Sequence, residues 1–175
     1  EDAERAIAAA RAAFDSWSQT PVATRVEFLE KIAAGMEARK KDVALAIATE
    51  VGMPLKMANA IQASLPIGAA KTYAELLKNF QFEEQVGNSL IVREAIGVVA
   101  AITPWNFPLM MVVHKLGPAL LAGNTIVIKP AATTPLTTLK FGEICQKIFP
   151  AGVVNVICDM NDLGDKLTGH PAKLF

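Results

Sequence analysis

The chain has 175 residues, of which 52% are hydrophobic and 19% charged, a balance typical of a globular protein with a sizeable core and not of a disordered tail. Seventeen basic and seventeen acidic residues give a formal net charge of zero, which argues against nucleic acid or an anionic membrane as a partner. No apolar run reaches the roughly 20 residues that a membrane helix needs, and the N-terminus lacks the layout of a secretory signal. We therefore expect a soluble, cytoplasmic protein.

The beginning of the chain has the apolar spacing of amphipathic helices. Residues Ala3 to Ser18 predict a first helix, and Thr20-Pro21 predicts a capped start for a second. The buried face of the second helix is expected to consist of Val26, Leu29, Ile32, Ala33 and Met36.

A third helix is expected to end at Gly52, with Pro54 as a stop signal beyond it. A longer helical pattern follows, which Pro66 and Gly68 should kink or divide. Its apolar face is expected to consist of Met57, Ile61, Leu65, Tyr73, Leu76, Leu77 and Phe80.

Strand patterns dominate from residue 89 onward. Ser89 to Glu94 reads as a strand, and Gly97 marks a bend after it. Three predominantly apolar runs then follow, at Val98–Ile102, Thr125–Ile128 and Val153–Ile157. Such runs are typical of strands that are covered on both faces in a parallel sheet.

Helical patterns separate these three runs. One helix precedes Gly123-Asn124, a second starts at Thr134-Pro135, and a short third helix covers Asp162 to Thr168. The second is expected to bury Leu136, Leu139, Ile144 and Ile148. The alternation of strand and helix predicts a parallel sheet with crossover helices, and a further strand is expected to start at Lys173-Leu174-Phe175.

Two polar residues follow the first two strands of this predicted sheet. Asn106 lies just past the first strand and Lys129 ends the second, so both are expected at the carboxyl edge, where open α/β sheets bind ligands. An amide at this position could stabilise a developing oxyanion, or the asparagine could simply shape a turn. Lys129 could bind a ligand or be a surface lysine with a snorkelling stem.

Four motifs in order and in register resemble the aldehyde dehydrogenase superfamily. They are Thr103-Pro104-Trp105-Asn106-Phe107-Pro108-Leu109, Lys115-Leu116-Gly117-Pro118-Ala119-Leu120, Ala122-Gly123-Asn124-Thr125 and Ile128-Lys129-Pro130. The resemblance implies an α/β fold in which an incomplete Rossmann-like parallel sheet follows an N-terminal helical layer. It implies a helical part at 1–82, a strand segment leading toward the oligomerisation region at 83–97, and the first half of the NAD(P)-binding domain at 98–175.

The resemblance also implies a reaction and its residues. In the family, a cysteine thiolate attacks an aldehyde to give a thiohemiacetal and then a thioester, which is hydrolysed to a carboxylic acid. The residue matching Asn106 is an oxyanion-hole donor there, the one matching Lys115 takes part in proton handling, and the one matching Lys129 binds a ribose hydroxyl of NAD or NADP. The remaining cofactor-binding positions implied are Ile102, Thr103, Pro104, Trp105, Pro130, Ala131 and Ala132.

Two positions depart from the family pattern. Ala132 stands where many members have a glutamate that binds the adenosine ribose, so discrimination against NADP should weaken and the preference between NAD and NADP stays open. Asp159 stands where a glycine commonly follows the third strand, which alters the adenine side of the pocket.

The nucleophilic cysteine and the glutamate base of the family have no counterpart here, so the chain reads as part of a larger enzyme, inactive alone and homo-oligomeric (a dimer or tetramer) at full length. A non-catalytic nucleotide-binding or scaffolding α/β module is the alternative, and a different α/β oxidoreductase is a third possibility. Cys145 and Cys158 are interpreted as buried structural thiols, and His114 and His170 as structural residues. No metal site is predicted.

Overall fold

The first two helices lie where the apolar spacing predicts them. In the computed structural model, which describes residues 1–160, 162–171 and 175, α1 spans Asp2–Ser18 and α2 spans Val22–Ala38. The five residues predicted for the core-facing side of α2 are all buried. The predicted cap at Thr20 is wrong, because its hydroxyl donates to the Ser16 carbonyl of α1 at 3.3 Å.

The third helical region is divided differently from the prediction. α3 (Lys40–Val51) ends at Gly52, whose φ of 73° is the left-handed conformation that glycine adopts without strain. Next come α4 (Leu55–Met57), a π-helical segment (Ala58–Gln62) and α5 (Ser64–Lys78), so the division precedes Pro66. The predicted apolar face is wrong at Met57, Ile61, Leu65, Leu76 and Phe80, which are exposed. The buried positions here are Ala58, Gln62 and Ala63.

A hairpin connects the helical part to the sheet. β1 (Glu83–Val86) pairs antiparallel with β2 (Ser89–Val92) in the register Glu83↔Val92 to Val86↔Ser89. β2 confirms the strand predicted from Ser89. β1 lies within the strand segment implied at 83–97, but its residues have no apolar alternation that would predict a separate strand. Every residue of both strands is exposed, so the hairpin stands apart from the core.

The second half of the chain alternates strictly between strand and helix. The elements are β3 (Val98–Ile102), α6 (Met110–Leu121), β4 (Thr125–Lys129), α7 (Pro135–Gln146), β5 (Val154–Val156) and α8 (Gly164–Thr168). The strands form one parallel sheet in the order β3-β4-β5, as predicted. Within the described residues, no helix has the length and apolar character to span a bilayer.

Helices cover both faces of this sheet. On one face, Ile7 and Ala10 of α1 and Leu167 of α8 pack with Val98 and Val127. On the other face, Ile126 and Ile128 pack with residues of α2, α5, α6 and α7. Adjacent β4 residues therefore point to opposite cores, as expected for a strand that is buried on both sides.

Phe175 extends the sheet beyond β3. Its N–H donates to the Val98 carbonyl at 3.0 Å, and its carbonyl accepts the Ala100 N–H at 2.8 Å, which is the pattern of a parallel ladder. Phe175 thus pairs with β3 as the first residue of the expected further strand would, while Lys173 and Leu174 lie outside the described residues. Consequently β3 has neighbours on both edges.

Candidate functional site

The candidate site lies where the strand order reverses. β4 and β5 follow β3 on one side, whereas Phe175 pairs with its other edge. In open α/β sheets, ligands bind outside the carboxyl ends of the strands at such a reversal. Ile102 pairs with Lys129 at those carboxyl ends, so the segment after β3, including Asn106, starts at this crevice.

Three hydrogen bonds fix the loop that follows β3. The Thr103 N–H donates to the Lys129 carbonyl at 3.1 Å. The Trp105 carbonyl accepts the Thr134 hydroxyl at 3.4 Å. The Asn106 carbonyl accepts the side-chain amide of Gln62 at 3.0 Å. Because these partners come from β4, the start of α7 and the π-helical segment, the loop position depends on three separate elements.

This anchoring leaves Asn106 open to solvent. Asn106 is exposed, and its side-chain amide makes no hydrogen bond to any residue that the structure describes. Ile102, Pro104 and Trp105 are exposed beside it, whereas Thr103 is buried. A fixed backbone with an unengaged amide is an arrangement that can donate to a ligand without prior rearrangement.

Lys129 is buried in an ion pair. Its ammonium lies 2.9 Å from Oδ1 of Asp159 and 3.3 Å from the Pro130 carbonyl, and the exposed fractions of the two paired side chains are 5% for Lys129 and 0% for Asp159. The other Asp159 oxygen accepts the Leu163 N–H at 2.9 Å. The interpretation of Lys129 as a surface lysine is therefore wrong. Asp159, which the sequence showed only as a departure from the family pattern, is the direct ion-pair partner of Lys129.

The segment from Pro130 to Ala132 leads into α7, whose start is capped by a distant carboxylate. Pro130 is buried, and Ala131 and Ala132 are half-buried. Thr134 occupies the capping position but makes no cap bond. Glu50 of α3 accepts the Leu136 N–H, the Thr137 N–H at 2.9 Å and the Thr137 hydroxyl at 2.5 Å. Local reading of the sequence missed Glu50 because it lies 86 residues before Leu136.

The two cysteines occupy different surroundings. Cys145 of α7 is buried, and this burial strongly raises the pKa of its thiol. Cys158, after β5, is exposed, so its interpretation as a buried thiol is wrong. Partial burial raises the Cys158 pKa, the negative charges of Asp159 and Glu50 raise it further, and Lys129 opposes them. The carboxylates of Asp159 and Glu50 therefore both lie close enough to this edge of the sheet to influence the Cys158 thiol.

A groove runs beside the first turns of α6, close in sequence to Asn106. It has a volume of about 420 Å³, and its lining includes Leu65, Tyr73, Met110 and His114. The Tyr73 hydroxyl lies 3.1 Å from Nδ1 of His114. Lys115 is half-buried on α6, next to His114 in sequence. Among the described residues, no cluster of His, Cys, Asp or Glu side chains could hold a metal ion.

Known sequences similar to this chain are aldehyde dehydrogenases. The Aldehyde dehydrogenase family matches residues 1–173. A 3-succinoylsemialdehyde-pyridine dehydrogenase from Pseudomonas sp. is 38% identical over 98% of this chain, and a 2-hydroxymuconic semialdehyde dehydrogenase from Pseudomonas sp. (strain CF600) is 40% identical over 97%. The chain spans only 36% and 37% of the lengths of these two relatives.

Solved structures share the fold over the same span. An aldehyde dehydrogenase from Bartonella henselae superposes with a TM-score of 0.93 at 39% identity, covering 97% of this chain and 37% of that one. A mutant of aldehyde dehydrogenase C from Pseudomonas syringae, solved with NAD+ and octanal, gives 0.94 at 37% identity, covering 97% and 36%. The predicted α/β fold with a Rossmann-like sheet is therefore confirmed.

Proposed function

The chain belongs to the aldehyde dehydrogenase family, and we propose that it is the N-terminal part of an enzyme that oxidises an aldehyde to a carboxylic acid with NAD or NADP. It spans about 36% of the length of such a relative, and we propose that the nucleophile and the base of the reaction belong to segments outside these residues. The chain alone is therefore expected to be inactive. We propose a dimer or tetramer in the cytoplasm for the full-length protein, with the division into 1–82, 83–97 and 98–175 given above.

The observation that carries this proposal is the presentation of Asn106. Its backbone is held by the Gln62 amide while its own side chain is exposed at the carboxyl end of β3. When a thiolate attacks an aldehyde carbonyl, negative charge develops on the carbonyl oxygen. A prepositioned amide N–H stabilises that charge mainly in the transition state, and removal of one such donor typically costs about 2.7 to 4 kcal/mol.

The residues at the strand ends fit a dinucleotide. The Lys129 ammonium has three donors, and within the described residues two of them are accounted for by Asp159 and Pro130, which leaves one for a ribose hydroxyl. The buried Thr103 hydroxyl lacks a hydrogen-bond partner among the described residues, so it adds a further polar group at the end of β3. When bound, the dinucleotide supplies the two-electron acceptor of the oxidation. Ile102, Pro104, Trp105, Pro130, Ala131 and Ala132 form the proposed wall of its site.

The groove beside α6 is the proposed path for the side chain of the aldehyde. Met110 and His114 lie one helical turn apart on α6, which starts four residues after Asn106. The partly buried Lys115 is the proposed participant in proton handling, since an ammonium in the neighbourhood of the reacting carbonyl can exchange protons with a water chain.

The full-length protein provides the test. We expect NAD(P)H formation that depends on added aldehyde, and we expect Asn106→Ala to lower turnover by about two to three orders of magnitude with little change in cofactor affinity. Asn79→Ala, at the exposed end of α5, is the matched control and should leave turnover unchanged. Unchanged turnover in Asn106→Ala would remove Asn106 from the mechanism.

The same measurements separate the enzyme from a non-catalytic nucleotide-binding module. Such a module would bind the cofactor in a titration but reduce none of it at saturating aldehyde. A different α/β oxidoreductase would reduce the cofactor with another class of substrate and show no burst with aldehydes.

A further inference from the structure

Asp159 holds Lys129 in a fixed, desolvated ion pair. One carboxylate oxygen lies 2.9 Å from the Lys129 ammonium, and the other accepts the Leu163 N–H at 2.9 Å. The Asp159 side chain has no exposed surface. Because Leu163 directly precedes α8, the carboxylate is fixed by the backbone that follows β5. Lys129 is thereby positioned, and most of its charge is neutralised before any ligand arrives.

The remaining hydrogen-bonding capacity of Lys129 is small. Of its three N–H donors, one is directed at Asp159 and one at the Pro130 carbonyl, 3.3 Å away. The third donor suffices for one neutral hydroxyl. A phosphate group, which carries about −1.5 to −2 charges and three acceptor oxygens, needs several donors and a net positive site.

The second place where a phosphate could bind at this edge is already occupied by Glu50. The N-terminus of a helix binds anions through its free N–H groups. In α7, the N–H groups of Leu136 and Thr137 both donate to the Glu50 carboxylate. The edge therefore presents two carboxylates, Asp159 and Glu50, against the single ammonium of Lys129.

We infer that Asp159 is a specificity-determining residue, which positions Lys129 for a free ribose 2′-hydroxyl and excludes a 2′-phosphate, so that the enzyme uses NAD+ and discriminates against NADP+. This inference rests on the proposed function. With Ala132, the loop after β4 lacks the carboxylate that many family members have there. Asp159 supplies a negative charge from the loop after β5 instead. The weaker discrimination expected from Ala132 alone is thereby reversed.

The test is an equilibrium titration of the full-length protein with NAD+ and with NADP+. We expect the parent to bind NAD+ at least about tenfold more tightly than NADP+. Asp159→Asn should narrow the ratio of the two dissociation constants by about tenfold, mainly through tighter NADP+ binding, because it removes the negative charge that neutralises Lys129. Asp165→Asn, at an exposed position of α8, is the matched control and should leave the ratio unchanged.

A purely structural role for Asp159 gives a different result. In that case Asp159→Asn would weaken the binding of NAD+ and of NADP+ equally. The ratio of their dissociation constants would stay unchanged, which would overturn the inference. Asp159→Gly serves if the asparagine variant does not fold, since the opened space lets water hydrate Lys129, and an unchanged ratio there would likewise overturn it.

The parent protein offers a test that needs no variant. If net repulsion excludes the phosphate, raising the salt concentration from about 0.05 to 0.5 M should reduce the preference for NAD+, because salt screens repulsion. A preference for NADP+, or a preference for NAD+ that grows with salt, would overturn the inference. All these ratios come from binding alone, so a protein that binds both cofactors but oxidises no aldehyde would refute the proposed function and still decide this inference.

Discussion

The buried Gln62 donates its side-chain amide to the backbone carbonyl of Asn106 at 3.0 Å, across 44 residues of sequence. Gln62 ends the π-helical segment, and its exposed fraction is only 3%. The amide nitrogen of this buried side chain is paired through that bond, whereas its Oε1 lacks a partner among the described residues. We conclude that the π-helical segment orients the loop that carries Asn106.

Gln62→Leu is therefore expected to lower turnover in the full-length enzyme. Leucine fills a similar volume but cannot hold the Asn106 carbonyl, and a displacement of about 1 Å at a catalytic group can cost up to about a hundredfold in rate. Cofactor affinity should fall less than turnover, because the proposed contact from Lys129 comes from β4 and not from this loop. Gln146→Leu, at an exposed position of α7, is the matched control because it makes the same change away from the site. Equal losses of turnover in both variants would contradict a role specific to Gln62.

Lys129→Met is expected to weaken cofactor binding and to destabilise the fold at the same time. Removing one partner of a buried ion pair leaves the other charge uncompensated, which typically costs about 3 to 5 kcal/mol. Adding Asp159→Asn should restore much of the free energy of unfolding without restoring cofactor affinity. Urea unfolding and cofactor titration measure the two effects separately. A double variant no more stable than Lys129→Met would show that the pair contributes little.

Glu50→Ala should destabilise the protein by about 1 kcal/mol, because the first N–H groups of α7 lose their acceptor and the positive end of the helix loses a negative charge. Both oxygens of Glu50 are engaged at this terminus. The matched control is Glu27→Ala, an exposed position of α2, which should change stability by less than about 0.5 kcal/mol. Thermal or urea unfolding measures the difference, and equal stability of the two variants would exclude the cap.

The elements that the sequence predicted correctly are those defined by local pattern. β3 was predicted with its observed bounds because Val98–Ile102 is apolar throughout and is covered by helices on both faces. β1 gave no local pattern of its own because its residues are polar or exposed, and within the described residues it pairs with β2 alone. α7 confirms the predicted burial of Ile144, but it leaves Leu136 and Leu139 exposed and buries Thr137, Thr138 and Phe141 instead, so hydrophobicity alone misplaced the buried face in the first half of that helix.

The prediction of the buried face between Pro54 and Lys78 was wrong for a geometric reason. A π-helical turn contains more residues than an α-helical turn, so Ala58–Gln62 rotates the buried face away from the 3.6-residue spacing on which the prediction relied. The result is that Met57 and Ile61 face solvent while Ala58 and Gln62 are buried.

The candidate site was predictable in its strand-end residues and not in their partners. Asn106 and Lys129 follow apolar runs, and strand pairing alone brings the ends of those strands together. Gln62, Asp159 and Glu50 reach the site only through tertiary contacts, and their local sequence gives no sign of it. Polar residues at such sites are visible to sequence reasoning only when the element that carries them is itself at the sheet edge.

Gly152 and Gly68 provide a matched pair for the packing of α1 against the sheet. Gly152, just before β5, has φ of 85°, and an added Cβ would lie 2.4 Å from the Ala9 carbonyl oxygen of α1. Gly152→Ala therefore forces both backbone strain and displacement of α1, and we expect a loss of about 2 to 4 kcal/mol in the free energy of unfolding. Gly68 is exposed within α5, with no atom within 4 Å of an added Cβ, so Gly68→Ala should stabilise by about 0.5 to 1 kcal/mol through helix propensity. Urea unfolding of the two variants should move the midpoint in opposite directions. A Gly152→Ala variant as stable as the parent would mean that α1 does not pack on the sheet as observed.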